Sequence, residues 1–386
     1  DNSPFADAEV IDSELGSRLF CSFVNVNPVA VSRLYTKVFG NMSKEDLLKI
    51  ETGRRNIVWT LEKLCFAEET FESGASLMLQ FANAENETWS NNATGEFTRL
   101  FTIYLPATSV NLERRSLFLK DKIRNMQNKH IVLKALSSAL TTSHFVYYGG
   151  AEQFGTQKRE NYEPKNKVEV ENYIKACLDL VVSEMQSTSE YKLQAEKIIT
   201  ESIAPLCRFG FGSIILPIIN ELCEKKGNDW DDMREKMKEL INFASSGMDE
   251  KIKHEYQNII NKLTKTDFVS RFKDIQKECF DFTEDISYEQ MLVKQDAAYE
   301  NLAKEFLEND AYNKSVLEQL MLVKVMNAHP FGKILADGMD ETMSLIFAKD
   351  SVDILNNNQN ATASLLIDFF ASCDSQVFEN LLDIFR

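Results

Sequence analysis

Seven cysteines (Cys21, Cys65, Cys177, Cys207, Cys223, Cys279, Cys373) and four histidines (His130, His144, His254, His329) are the residues of this chain that could serve as nucleophile, base or metal ligand. Their spacing organises none of those chemistries. There is no Cys-x-x-Cys pair and no His-Glu-x-x-His run, so neither a dithiol nor a zinc site is written into contiguous sequence. A Cys–His catalytic pair would have to be assembled from distant residues; a small buried thiol and a solvated or core imidazole are the plainer readings. A phosphate loop needs Gly-x4-Gly-Lys-Ser/Thr between a strand and a helix, and Gly210-Phe211-Gly212 and Phe331-Gly332-Lys333 lack that spacing. Acidic pairs such as Glu68-Glu69 and Asp231-Asp232 suit helix starts, where negative charge opposes the dipole. No catalytic residue, cofactor site or metal site is assigned, and the chain is expected not to be an enzyme.

Recognition is the remaining class of function, and charge narrows it. The formal net charge of -16 argues against a nucleic-acid partner, because affinity for phosphates comes from Lys and Arg and the counterions they release. The distribution is uneven: residues 101–167 hold 11 Lys and Arg against 5 Asp and Glu. Such a band on an acidic body can steer an acidic partner, or it can merely solvate the outer faces of helices. Its candidate contact residues are Arg114, Arg115, Lys120 and Arg124. A second group is Tyr147, Tyr148, Phe154, Lys158 and Arg159, in the long irregular stretch 147–166, where aromatics beside cations have the composition of a binding hot spot or of simple ring packing. The polar turn from Trp89 to Gly95 is open in the same way, as a scaffold between two helices or as a partner contact.

The elements that must position these residues are helices. Only 14 Gly and 7 Pro punctuate the chain, and apolar residues recur at three and four in segment after segment. Pro28 opens a segment that closes at Phe39, Ser43 with Asp46 has the form of a capping box, and Pro106 ends a pattern restarting at Phe97. The same period predicts helices over 112–123, 131–145, 168–185 and 191–204, and in the second half over 211–223 with a kink at Pro217, 230–243, 252–263, 268–280, 288–307 and 315–326. No alternating, β-branched run bounded by hairpin turns occurs. About 16 to 18 helices joined by short connections suit an all-α, irregular TPR-like α-solenoid of antiparallel helix pairs. A helical-repeat region 1–226 and a helical continuation 227–386 are expected. No apolar run reaches the roughly 18 residues of a membrane span and no signal peptide opens the chain, so a cytoplasmic protein without membrane contact is expected. In that setting the Asn-x-Ser/Thr sequences at Asn41, Asn86, Asn92, Asn313 and Asn360 are chance.

Several of these residues also carry a likeness. Leu19-Phe20 followed by Val26-Asn27-Pro28, Phe39-Gly40-Asn41, Arg54-Arg55 leading to Ile57-Val58-Trp59, Leu61 to Leu64, the run Ala82 to Arg115, and Gly150-Ala151-Glu152 with Gly155 occur in order between Leu15 and Met185. This pattern resembles the C-terminal helical sensor of bacterial antiviral STAND NTPases, the NLR-like antiphage proteins. The resemblance implies a non-enzymatic sensor that binds a phage protein, structural or packaging, through a helical-repeat surface. In that family an effector and a P-loop NTPase precede the sensor, and oligomerisation is implied only together with that NTPase. Neither module is present and Asp1 is not a Met, so a fragment, or a chain whose catalytic parts lie elsewhere, is expected. The acidic second half carries none of the likeness, and a helical adaptor for a host protein is the alternative.

Overall fold

The computed structural model describes residues 5–143, 145, 152–154, 157–244, 250–278, 287–308, 314–323, 328–373, 378–379 and 382. Those residues form 20 α-helices, and the fold is all-α with packed helix pairs. The one strand pairing among them is a two-residue hairpin, Gln153–Phe154 (β1) against Gln157–Lys158 (β2). Two compact units divide the chain, residues 1–262 and 263–386, so the sequence step at 226/227 falls inside the first of them.

In the first unit the helix starts follow side-chain chemistry. Asn27 caps α3 (Pro28–Phe39) from outside a proline at its first position, and Ser43 caps α4 (Lys44–Leu47) while donating its hydroxyl to Asp46, as the capping pattern predicts. Asn92, Asn111 and Asn166 cap α7 (Ala93–Arg99), α8 (Leu112–Lys122) and α10 (Lys167–Met185) in the same way. Each such cap contributes about 1 kcal/mol by satisfying an amide that the first turn leaves without a partner. The remaining helices here are α1 (Ala8–Asp12), α2 (Glu14–Phe23), α5 (Arg54–Phe66), α6 (Phe71–Asn83), α9 (Lys129–Ala139), α11 (Lys192–Arg208), α12 (Gly212–Lys226, continuous through Pro217), α13 (Asp231–Ala244) and α14 (Glu250–Leu263).

The main packings join helices at most three places apart in the chain: α2 with α5, α5 with α6, α6 with α7, α8 with α10, α10 with α11, and α11 with α13. Packing that advances along the chain in this way buries each apolar face against the next pair. A file of rings marks the seam, with Phe20, Tyr35, Phe39 and Phe81 meeting at centroid distances of 5.5, 5.2 and 5.5 Å in succession. Phe71, Phe97 and Phe101 close around Phe118 of α8.

The second unit holds α15 (Phe268–Glu278), α16 (Tyr288–Glu308), α17 (Lys314–Met321), α18 (His329–Gly338), α19 (Glu341–Asn357) and α20 (Ser364–Ser372). Phe272, Tyr299 and Phe306 surround Phe331. Next to it stands Gly332, where a Cβ would come within 2.9 Å of the Phe369 amide and 2.7 Å of the Asp368 Cβ. That glycine serves the close approach of α18 to α20; it cradles no phosphate.

Candidate functional site

The distinctive run between Ala82 and Arg115 resolves into two tied-down loops. In the first, between α6 and α7, the Glu85 carboxylate accepts hydrogen bonds from the amides of Asn86, Glu87 and Thr94 at 3.1, 3.0 and 3.3 Å. Asn92 donates its side-chain amide to the Glu87 carbonyl and accepts from the Gly95 amide as the cap of α7. Gly95 lies so close to the chain before it that a Cβ would stand 2.0 Å from the Ser90 carbonyl oxygen. Glu85 and Asn92, two of the polar residues that make this turn conspicuous, therefore have tasks within the turn. Trp89 differs: it is 36% exposed, and among the described residues its ring stacks on the guanidinium of Arg55 on α5, at 5.6 Å. The same guanidinium lies 5.0 Å from the ring of Trp59, four residues on along α5. Beside the turn opens a groove of about 720 Å³ lined by Lys44, Glu87, Trp89, His130, Lys134 and Tyr191, among others.

The second loop, between α7 and α8, closes the end of α5. The Thr108 hydroxyl donates to the Cys65 carbonyl at 2.8 Å, and the Ser109 amide and hydroxyl both donate to the Phe66 carbonyl at 2.9 Å. These carbonyls belong to the last turn of a helix, where no intrahelical donor remains. Holding that geometry puts two non-glycine residues in left-handed backbone, Leu105 at φ 51° and Ala107 at φ 54°, on either side of Pro106. Each costs on the order of 1 kcal/mol and persists because Thr108 and Arg115 fix the loop on both sides.

Of the basic band, Arg115 is placed where no partner can reach it. It is fully buried, donating from Nη1 to the carbonyls of Leu100 and Thr102 at 3.0 and 2.6 Å with the rings of Tyr162 and Tyr173 alongside. Arg114, half-buried, pairs with Glu72 at 3.1 Å over the ring of Phe71. Lys120 and Arg124 are exposed at and just beyond the end of α8. Lys158 is exposed on β2; Arg159 donates its amide to the Glu152 carbonyl at 2.8 Å and lies 3.8 Å from Glu69. Phe154 contributes its backbone to β1, and Tyr147 and Tyr148 lie outside the described residues. The two groups meet through the interior: Tyr162, three residues past Arg159, stacks on Arg115 and donates its amide to the Thr108 carbonyl.

The groups that could do chemistry are dispersed. Burial pushes the thiols of Cys65, Cys207 and Cys373 above their usual pKa, that of Cys177 to about 12 and that of Cys223 to about 11, away from the thiolate a nucleophile needs. His130 pairs with Gln194, His254 with Asn258, and His329 lies 3.8 Å from Asp368. Glu62 and Glu96 share Arg99, and burial, opposed by Arg99, holds the Glu62 carboxyl above its ordinary range. Among the described residues no three His, Cys, Asp or Glu gather as a metal site, and no helix is long and apolar enough to cross a membrane.

Sequence spacing missed the Trp59–Arg55–Trp89 stack, because Trp89 arrives from another element. Half of it was readable: Arg55 and Trp59 stand at i and i+4, neighbours on one helix face. Compared with protein-family models, curated proteins and solved structures, the chain matches none.

Proposed function

We propose that this chain is a non-enzymatic recognition module, the sensor region of an antiphage STAND NTPase, and that it binds a phage protein through its helix pairs. The order of motifs between Leu15 and Met185 supports the family; the turn between α6 and α7 supports recognition. That turn is the observation that carries the reading. Glu85 and Asn92 hold its shape, while its one large aromatic is partly exposed at the edge of a groove. An aromatic on a rigid frame loses little entropy on binding and has the features of an interface anchor. Stacked helix pairs can supply the rest of the roughly 1,200 to 2,000 Å² that a specific interface buries.

The test is co-purification of the tagged chain from bacteria with and without phage infection, with mass spectrometry of the retained proteins. A phage structural or packaging protein retained only after infection, and lost from Trp89→Ala while that variant stays folded, supports the reading. One host protein retained in equal amount from both cultures would replace it with an adaptor.

A further inference from the structure

We infer that the Trp59–Arg55–Trp89 stack is a carboxylate-recognition site, and that it takes an acidic segment of a partner protein. The inference rests on the recognition reading for its partner and adds the chemistry by which that partner is held.

Arg55 is exposed, and its guanidinium is shared between two indole rings at 5.0 and 5.6 Å. Among the described residues it makes no hydrogen bond and no ion pair, so the rings position the cation while its edge keeps its N–H donors. The adjacent arginine is the contrast, since the bonds of Arg54 are made inside the fold. A planar guanidinium held by ring contacts presents paired donors in the spacing of a carboxylate, and much of its side-chain entropy is already lost.

The surroundings select for negative charge of modest density. Lys44 and Lys134 line the groove beside Trp89, and neither is ion-paired with a described residue. Of the acids in the turn, Glu85 lies 3.7 Å from the buried Arg54 and accepts three amides of the turn, which leaves Glu87 as the acid of the turn set against Lys44 and Lys134 along the groove. Three cations around one aromatic turn match a few carboxylates of an extended segment. A nucleic-acid backbone would meet the -16 charge of the whole chain and asks for many more cations.

The experiment is titration of the full chain with hexaglutamate peptide, monitored by tryptophan fluorescence and calorimetry at low and at physiological ionic strength. Hexaglutamine and hexathymidylate serve as comparison probes. The expected result is saturable binding of hexaglutamate that weakens at least about tenfold in Arg55→Lys, which keeps the charge and loses the planar fork. Trp89→Ala should weaken it similarly, with both variants still folded and unfolding cooperatively. Equal affinity in wild type and Arg55→Lys, equal binding of hexaglutamine, tighter binding of hexathymidylate, or no binding of hexaglutamate each overturns the inference. Hexaglutamate binding through Arg55 by a chain that retains no phage protein leaves this site standing and removes the sensor reading. Retention of a phage protein undiminished by Arg55→Lys does the reverse.

Discussion

Two Arg-Arg pairs, Arg54-Arg55 in the first turn of α5 and Arg114-Arg115 in the first turns of α8, split in the same manner. One member is buried on backbone carbonyls and the other lies outside on an aromatic ring. Consecutive helical residues point about 100° apart, so a pair at the edge of an apolar stripe must place one side chain inward. Arg54 gathers the carbonyls of Leu47, Phe81 and Ala84 at 2.9, 3.2 and 2.6 Å, closing the end of α6 with Glu85 nearby as counter-charge. Arg115 takes two carbonyls and two rings, and its Nε and Nη2 have no hydrogen-bond partner among the described residues. Burial lowers the pKa of both guanidiniums, yet an arginine stays charged. Identical dipeptides thus divide between the interior and the surface, and total basic charge says nothing about which member goes where.

The comparison breaks most visibly at its buried members. Arg54→Met removes a charged donor from three carbonyls, of which those of Leu47 and Phe81 keep a backbone amide and that of Ala84 keeps none, so urea unfolding should show a loss of about 3 kcal/mol or more. Arg115→Met, with two carbonyls, should lose on the order of 2–5 kcal/mol. A loss under about 0.5 kcal/mol for either would mean the carbonyls find water instead. Gly95→Ala, which forces the turn off the Ser90 carbonyl, should cost about 1–3 kcal/mol and move the Trp89 emission maximum.

Arg99 sharpens the contrast, since it serves carboxylates where Arg54 and Arg115 serve carbonyls. Burial raises the Glu62 pKa above 4.5, so the folded chain binds more protons there than the unfolded one between that value and the folded pKa. This group's contribution to stability falls as pH rises through that window. The unfolding midpoint of Glu62→Gln relative to wild type should therefore climb from about pH 4 upward, and a difference constant with pH would reject the assignment. The exposed members give the smallest effects. Arg55→Ala should change stability by about 0.5–1 kcal/mol, the worth of an exposed cation–π contact. Lys120→Gln with Arg124→Gln should stay within about 0.5 kcal/mol and slow partner association if the end of α8 steers it.

Local chemistry made much of this fold legible. Pro28 and the apolar period place α3, α10 and α16 within a residue or two of where they form, and Ser43 places the start of α4 but not its early end at Leu47, because caps and stripes act over one or two turns. The boundary at Phe97 was less legible: α7 begins at Ala93 and ends at Arg99, since Asn92 caps it and the loop must turn early to reach Cys65 and Phe66. The burial of Arg115 was written in the pattern, for it shares a stripe with Leu112, Ser116 and Leu119, all buried. Its positive charge concealed that signal. The contact between Arg55 and Trp89 had no local signature at all, because it joins residues whose approach is set by the packing of α5 on α6 and of α6 on α7.

The short loop after α7 also anchors the chain beyond α9. Tyr104 packs against Phe145 at 5.4 Å, and Thr108 receives the Tyr162 amide at 2.8 Å, so the stretch between Phe145 and Tyr162 leaves and returns within five residues of one loop. Each end is fixed by its own contact with that loop. Doubling the length of such an insert costs only about 0.6 kcal/mol of closure entropy, with no change required in α9 or α10. The loop therefore works as a clasp, one short segment that fixes both where the chain departs after α9 and where it arrives before α10.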